Sequence, residues 1–422
     1  MPTERIWPFV VGSSEGIALG SDTSYYFPIN GALLASSQLD RCQSVIRGSY
    51  TATSMFVNIG TNLSLGTSTI FLVVNSLDSA LKVSIPLAST GTFEDTSNSV
   101  ALVDGDLVNY RGTVAAGGTV DIQVAGVALH QTGSIGINFM VARGAINFAT
   151  GTRFISLCGT ISGTDVTTEG SNTLRFQSDA TLANMRILVS ANSQTSGTYV
   201  LQLRLAGANG LSSLSIGSAQ TGAFEDVTNV DPVNAGTNVN FRGSGGSNGS
   251  VVCRLTQIYV TSTAIRLALN NPGVAPATGV MNWPVAGKCS ATTTGTANAG
   301  YKLPTSGTVS NLWFNATFTP SNTMTVIVVK NDVDTTVTGS VGGAGSGTVG
   351  TVVNSASVTP FALGDIIYLR ESHTATGTVG CRLISVDFIP DLTISGGAAF
   401  DLDRIERHFS RGEGRGYFRG MG

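Results

Sequence analysis

Short runs in which apolar and polar residues alternate are the dominant pattern of this chain. In residues 199–205, Leu201, Leu203 and Leu205 occupy every second position, and polar residues stand between them. Because successive side chains of a β-strand point to opposite faces, this run predicts a strand with one buried face. Similar runs rich in Val, Ile and Thr recur between clusters of Gly, Ser and Asn. This spacing predicts antiparallel sheets packed as a β-sandwich.

Three copies of one pattern follow one another along the chain. Thr-Gly-Thr-Phe-Glu-Asp at 90–95 matches Thr-Gly-Ala-Phe-Glu-Asp at 221–226. A glycine follows 12 residues after the phenylalanine, or after the valine that replaces it, in the pairs Phe93 and Gly105, Phe224 and Gly236, and Val352 and Gly364. An arginine stands 6 residues after each of these glycines, namely Arg111, Arg242 and Arg370. Agreement of these spacings in all three copies predicts one domain used in series.

The repeat length sets the predicted domain organisation. The three arginines lie 131 and 128 residues apart in a chain of 422 residues. Each copy is therefore long enough to bury its own core, unlike the short units of a solenoid. We predict an all-β chain of three tandem antiparallel β-sandwich or jelly-roll domains, each with about eight short strands. The expected ranges are 1–148 with an N-terminal arm, 149–275, 276–392, and a C-terminal tail at 393–422.

The C-terminal tail differs in composition from the three copies. Leu402, Ile405 and Phe409 stand at helical spacing, which predicts one short amphipathic helix. Arginines recur every 4 residues among glycines, at Arg407, Arg411, Arg415 and Arg419. We predict that Ile405, Phe409 and these arginines anchor the tail on an acidic surface of another protein. Contact with packaged nucleic acid and a solvated, unbound end are the alternatives.

Charge and hydropathy narrow the expected partners. Only 12% of the residues are charged and the formal net charge is -3, so nucleic acid is not expected as the main partner. The first residues of the sequence do not resemble a secretory signal, because they lack its apolar stretch of about 7–15 residues. Uninterrupted apolar runs stay below the roughly 18 residues that a membrane helix needs. We therefore expect neither secretion nor a membrane partner.

The five cysteines suit a chain that folds in a reducing cytoplasm. Two positions in each copy hold a thiol or an apolar residue, the pairs being Val11 and Ile122, Cys158 and Cys253, and Cys289 and Cys381. We interpret these positions as small apolar core residues, with a disulfide or a metal site as alternatives. Two thiols without histidines at ligand spacing make a poor zinc site.

Residues that could support catalysis are sparse. His130, His373 and His408 lie in different segments, and no Cys or second His stands near any of them at a spacing typical of a catalytic or metal site. We therefore predict that the protein is not an enzyme and binds no cofactor or metal.

The recurring Glu-Asp dipeptides at 94–95 and 225–226 could be mistaken for a glycosidase carboxylate pair. Adjacent residues of a strand point to opposite faces, and the third copy has Val-Asn at 353–354 instead. A shared acid and base role is therefore not indicated. We predict that each aspartate caps a turn and that each glutamate pairs with Arg111 or Arg242 across the sheet.

The Gly-x-Phe-x-Asp segments, followed 12 residues after the phenylalanine by a turn glycine and an apolar strand, resemble jelly-roll modules of tailed-bacteriophage virion proteins. These proteins include capsid decoration or cement proteins and tail or head fibres. The resemblance covers roughly residues 5–390, and the third copy departs from it at Val352. It implies a non-enzymatic structural protein at the virion surface, synthesised in the cytoplasm of a host bacterium.

Two functions follow from this resemblance. The first is a capsid-decorating or cement protein, whose partners are other virion proteins and further copies of this chain in a homo-oligomer. The alternative is a trimeric tail or head fibre that binds a host receptor or surface glycan. A carbohydrate-degrading spike would need a carboxylate pair that the sequence does not indicate.

Overall fold

A computed structural model describes residues 3–394, apart from residues 22–23, 33, 116, 133–135, 149–150, 162–166, 168, 246–248, 271–279, 289–299, 319–322, 343–347 and 374–378. The described chain is almost entirely β-strand, and its antiparallel sheets form sandwich-like domains. The predicted fold class is confirmed in this respect. Two short 3-10 helices interrupt the strands at Leu39–Cys42 and Glu169–Asn172.

Ten strands form the first sandwich: β1 Thr3–Gly20, β2 Ser24–Phe27, β3 Gly31–Ala32, β4 Ser44–Val45, β5 Tyr50–Asn62, β6 Ser68–Val74, β7 Leu77–Ile85, β8 Gly91–Leu102, β9 Leu107–Thr113 and β10 Thr119–Thr132. One sheet has the order β1-β10-β5-β8 and the other has the order β2-β9-β6-β7. The first strand pairs with the last, and successive strands alternate between the sheets except at the β6-β7 hairpin. This is the strand order of a jelly roll.

The second sandwich repeats this order with β11 Gly136–Phe148, β12 Gly151–Ile155, β13 Gly159–Ile161, β14 Leu174–Arg175, β15 Ala180–Asn192, β16 Thr198–Leu205, β17 Ala208–Gly217, β18 Gly222–Val233, β19 Asn238–Gly245 and β20 Val251–Ser262. Its two sheets have the orders β11-β20-β15-β18 and β12-β19-β16-β17. The alternating run at 199–205 is confirmed as part of β16, where Leu201 and Leu203 are fully buried.

The third sandwich contains β21 Ile265–Asn270, β22 Val280–Trp283, β23 Gly287–Lys288, β24 Tyr301–Lys302, β25 Gly307–Phe318, β26 Thr323–Lys330, β27 Val333–Gly342, β28 Thr348–Phe361, β29 Ile366–His373 and β30 Val379–Pro390. Its sheets have the orders β21-β30-β25-β28 and β22-β29-β26-β27. A last strand, β31 Thr393–Ile394, leaves this sandwich and pairs with the start of β1.

The hydrogen bonding assigns two strands to different sandwiches from those implied by the expected ranges. β11 ends at Phe148 but pairs with β20, and β21 ends at Asn270 but pairs with β30. Each therefore opens the sandwich that follows it in the chain. The repeat period defines which positions are equivalent, but it does not define where in the period a domain begins. Only three residues separate the strand that ends at Thr132 from the strand that begins at Gly136.

Glycines and short polar residues of the repeat stand where the backbone is left-handed. Gly105, Gly236 and Gly364 have φ values of 91°, 89° and 87° in the turn before β9, β19 and β29. Each glycine N–H donates to a carbonyl on the segment before β5, β15 or β25, at Ile46, Phe176 and Leu303 respectively. A matching bulge in β5, β15 and β25 has positive φ at Ser54, Asn184 and Asn311. The three copies therefore share their irregularities as well as their strands.

Three short strands join the sandwiches into a closed ring. β3, β13 and β23 each pair in parallel with the first strand of their own sandwich. β3 also contacts β11, β13 contacts β21, β23 contacts β1, and the three short strands contact one another. Through these short strands each sandwich meets the next in the same way, and the third meets the first. One chain therefore has approximate threefold symmetry.

Glycine allows the close backbone approach at this centre. A Cβ atom on Gly31 would lie 2.3 Å from the carbonyl oxygen of Val141 in the second sandwich. A Cβ atom on Gly287 would lie 2.1 Å from the carbonyl oxygen of Gly12 in the first. Both glycines have positive φ as well, 88° and 113°. Any side chain at either position would push neighbouring sandwiches apart.

Apolar side chains fill all three junctions. The ring of Phe9 lies 4.7 Å from that of Phe139, and the ring of Phe56 lies 5.0 Å from that of Tyr301, as measured between centroids. At the remaining junction, Trp313 of the third sandwich belongs to the buried cluster of the second. The three sandwiches therefore pack against one another through buried apolar surface. Within the part of the chain that is described, no helix has the length and apolarity to cross a membrane.

Candidate functional site: the clefts between sandwiches

The repeated aspartates cap turns, as the sequence predicts. The carboxylate of Asp95 accepts hydrogen bonds from the N–H groups of Lys82, Ser97 and Asn98 and from the Asn98 side chain. Burial alone would raise the pKa of Asp95, but these hydrogen bonds outweigh it and lower the pKa. Asp226 holds the equivalent turn of the second sandwich, with its pKa lowered in the same way. These carboxylates stabilise structure and are not placed as an acid and base pair.

The repeated glutamates have different partners from those predicted. Arg111 pairs with Asp78 in its own sandwich, so it is not the partner of Glu94. The Glu94 carboxylate instead lies 2.6 Å from Nζ of Lys302 in the third sandwich. The predicted pair of Glu94 with Arg111 is therefore wrong. An alignment of the copies does not show which residues a neighbouring sandwich supplies.

Glu225 makes the equivalent contact at the next junction. It lies opposite Arg186 on the adjacent strand, with 3.1 Å between Arg186 Nε and Glu225 Oε1. It also forms an ion pair with Arg47 of the first sandwich. Burial lowers the pKa of Arg186, and the negative charge of Glu225 opposes this effect. The two glutamates therefore connect the first sandwich to the third and to the second.

A cleft follows the Glu94–Lys302 pair between the third and first sandwiches. Its open volume is about 260 Å³, and its lining residues are Ser54, Phe56, Glu94, Thr96, Lys302, Leu303, Pro304, Leu363 and Gly364. Most of the lining surface is apolar, and the ion pair neutralises its own charges. The side chain of Leu363 is 70% exposed at the rim. The cleft can accept an uncharged apolar group without burying an unpaired charge.

A second cleft occupies the rotationally equivalent place between the first and second sandwiches. Its open volume is about 640 Å³, and its lining residues are Arg47, Gly48, Asp104, Ala183, Asn184, Val227, Tyr259 and Thr261. Asn184 stands where Ser54 stands in the first cleft, Val227 where Thr96 stands and Asp104 where Leu363 stands. The Tyr259 hydroxyl donates to the carbonyl of Val45 across this junction. Among the described residues, these two junctions thus carry a cleft at the same place, with different linings.

The junction between the second and third sandwiches is held in another way. Arg266 places Nε 2.8 Å from Asp387, donates to the carbonyl of Arg175, and lies over the Phe176 ring at 4.8 Å from its centroid. Val353 takes the position of the repeated glutamate and is exposed. The departure of the third copy from the Phe-Glu-Asp pattern therefore marks the junction that lacks the glutamate ion pair.

A carboxylate and a histidine are buried together inside the third sandwich. Glu371 and His373 have fully buried side chains, with 3.0 Å between Glu371 Oε1 and His373 Nδ1. Burial raises the pKa of Glu371 to about 7, and the hydrogen bond and charge of His373 oppose this effect. Glycine occupies the position of Glu371 in the other two sandwiches, at Gly112 and Gly243. Among the described residues, no three or more His, Cys, Asp or Glu side chains converge on one point.

Cys158 and Cys253 are buried free thiols. Burial is the main cause that raises the pKa of both thiols, to about 12 for Cys158. Cys158 precedes the left-handed Gly159 as Asn30 precedes Gly31, so the structure aligns it with Asn30 and not with Val11. Cys289 lies outside the described residues, as does the side chain of Cys381.

The predicted anchoring residues Ile405, Arg407, Phe409, Arg411, Arg415 and Arg419 also lie outside the described residues. The chain up to them can be followed to β31, whose residues Thr393 and Ile394 pair with Glu4 and Thr3. The last described residues therefore lie at the end of the ring at which β1 begins.

Sequence reasoning missed the clefts, since their walls come from two copies at once. The signal that was present is the Phe-Glu-Asp pattern itself, because it survives in the two copies whose glutamate bridges a junction and is lost in the third.

Comparisons with known proteins give no family. No protein-family model matches the chain, and no curated protein matches its sequence. Structural comparison finds the T13 viral particle of infectious bursal disease virus, with 9% identity over 97% of this chain and 84% of that chain at a TM-score of 0.18. It also finds the Gx strain of that virus, with 11% identity over 97% and 88% of the chains at a TM-score of 0.17. TM-scores this low support no statement on the fold or function of this chain.

Proposed function

We propose that the protein is a non-enzymatic structural protein of a virion, and that it decorates the exterior of a tailed-bacteriophage capsid. The observation that supports this most strongly is the closed ring of three jelly rolls in a single chain. Jelly rolls are common in viral capsid and lectin domains. The ring also gives one chain the approximate threefold symmetry of a trimer, and this symmetry suits assembly on a capsid.

Symmetry matters because a threefold shape fits a threefold surface. Capsid shells present positions at which three identical subunits meet, and a ring with three similar sides contacts all three of them alike. A cement protein at such a position stabilises the shell by linking neighbours. The low charge of the chain, 12% of its residues, suits broad uncharged contacts of this kind.

The second candidate is a tail or head fibre that binds a host receptor or surface glycan as a trimer. The exposed side chains of Leu63, Leu65 and Leu87 favour it, because they lie together on loops at one end of the first sandwich, where β-domains often bind ligands. A trimer of this chain would need a further interface, since the ring is already closed within one chain. The self-association of several chains that the sequence predicts therefore belongs to this second candidate.

Binding to particles separates the two candidates. Capsids purified from a phage strain that lacks this chain are mixed with the purified full-length protein and sedimented. A decoration protein co-sediments and saturates at no more than one chain per threefold position. A protein that fails to sediment with capsids but binds host cells is a fibre, and this result would refute the decoration proposal.

A further inference from the structure

The ring has two different ends. At one end, here called the cleft end, lie the turns at 75–76 and 103–106, the start of β1 and the end of β30. At the other, the loop end, lie the connections at 63–67, 86–90 and 114–118. Both clefts belong to the cleft end, because Leu363 and Asp104 in their walls stand in the turns before β29 and β9. The two ends of the ring therefore offer a partner two different faces.

We infer that the protein docks with its cleft end, and that its partner is a protein surface of threefold symmetry that inserts an uncharged apolar segment into the clefts. This inference rests on the proposed function and specifies the partner. Two clefts at rotationally equivalent places meet equivalent segments of a threefold partner, whereas an asymmetric ligand would use only one.

The chemistry of the clefts selects the inserted segment. Glu94 pairs with Lys302, and at the other junction Glu225 and Asp104 balance Arg47 and Arg186, so the charges at both junctions are already neutralised. Insertion of a charged side chain would leave one charge without a partner at either junction. An apolar side chain instead meets Phe56 and Leu363 in one cleft and Val227, 60% exposed, in the other. Burial of the exposed side chains of Leu363 and Val227 favours the complex.

The position of β31 supports the same face. β31 pairs with the first residues of β1 at the cleft end, and residues 395–422 continue from there. The clefts and the last described strand therefore lie at the same end of the ring.

Two equally exposed leucines allow a matched test. Leu363 at the cleft end is 70% exposed and Leu65 at the loop end is 72% exposed, so Asp at either position leaves the buried core intact. Binding of full-length protein to capsids that lack this chain is measured by co-sedimentation for wild type, Leu363→Asp, Val227→Asp and Leu65→Asp. We expect Leu363→Asp and Val227→Asp each to weaken binding about tenfold or more, as at an interface hot spot, and Leu65→Asp to leave it within about twofold. Circular dichroism confirms that each variant is folded.

The outcomes separate the two levels of the argument. If Leu65→Asp alone weakens binding, the protein decorates the capsid by its loop end, and the inference fails while the proposed function stands. If all three variants bind like wild type, the clefts are not the docking site. If wild type itself does not bind the capsid, the proposed function fails and the inference fails with it.

Discussion

Lys302 of the third sandwich holds its ammonium group 2.6 Å from the carboxylate of Glu94 in the first. These residues are 208 positions apart in the chain, and their contact closes the ring at the junction between its last and first sandwiches. Glu225 and Arg47 form the equivalent pair at the next junction. Each repeated glutamate thus forms an ion pair between copies, and Glu225 also pairs with Arg186 within its own copy.

The Glu94–Lys302 pair should contribute little to stability. Its side chains are 28% and 41% exposed, and solvent screens exposed ion pairs to about 0–1 kcal/mol. We expect a double-mutant cycle of Glu94→Ala and Lys302→Ala to give a coupling free energy below about 1 kcal/mol in urea unfolding. A coupling above about 2 kcal/mol would show that the pair, and not the apolar junction around Phe56 and Tyr301, holds the ring closed.

The close approach at Gly31 should be far more important. Gly31→Ala forces an L-residue into φ 88° and places Cβ 2.3 Å from the Val141 carbonyl oxygen. We expect a loss of about 3 kcal/mol or more in the free energy of unfolding, from left-handed strain and overpacking together. Gly91→Ala is the control, because Gly91 has φ 99° and nothing within 4 Å of its Cβ position. It should lose only about 1–2 kcal/mol. Equal losses would mean that the sandwiches do not meet closely at Gly31.

Arg5 links the first sandwich to the end of β30 and to the connection between β20 and β21. Its Nη1 donates to the carbonyls of Pro390 at 2.9 Å and Thr263 at 3.2 Å. Arg5→Ala leaves these carbonyls without that donor, so we expect a loss of about 2–3 kcal/mol in chemical denaturation. Arg5→Lys should recover part of it, since an ammonium group can still donate. A loss below about 0.5 kcal/mol for Arg5→Ala would contradict the role of this arginine.

The turns of the repeat were predictable from the sequence, and the junctions were not. Gly105, Gly236 and Gly364 could be found because a left-handed turn selects glycine wherever it occurs. The partner of Glu94 could not be found, because a contact between two copies produces no regular spacing in the sequence. In the sequence, the flanking apolar residues align Cys158 with Val11. Only the strand pairing shows that Cys158 is equivalent to Asn30.

Stability should depend on pH through Glu371. Burial raises its pKa to about 7 in the folded state from 4.5. The folded state therefore binds the proton more tightly, and the contribution of Glu371 to stability is present below about pH 4.5 and is lost as pH rises through 7. We expect the free energy of unfolding of wild type to fall by up to about 3 kcal/mol across this window relative to Glu371→Gln, which cannot ionise. Parallel pH curves for the two proteins would show that Glu371 does not titrate in this way.

The claim that one chain forms the complete threefold unit is tested most directly by the molar mass of the full-length protein in solution, measured by light scattering. The closed ring predicts a single chain, with a mass near 43.4 kDa. A mass near three times this value would mean that threefold symmetry is built between chains, as in a trimeric fibre, and would contradict the proposal that the protein acts as a single-chain ring on the capsid.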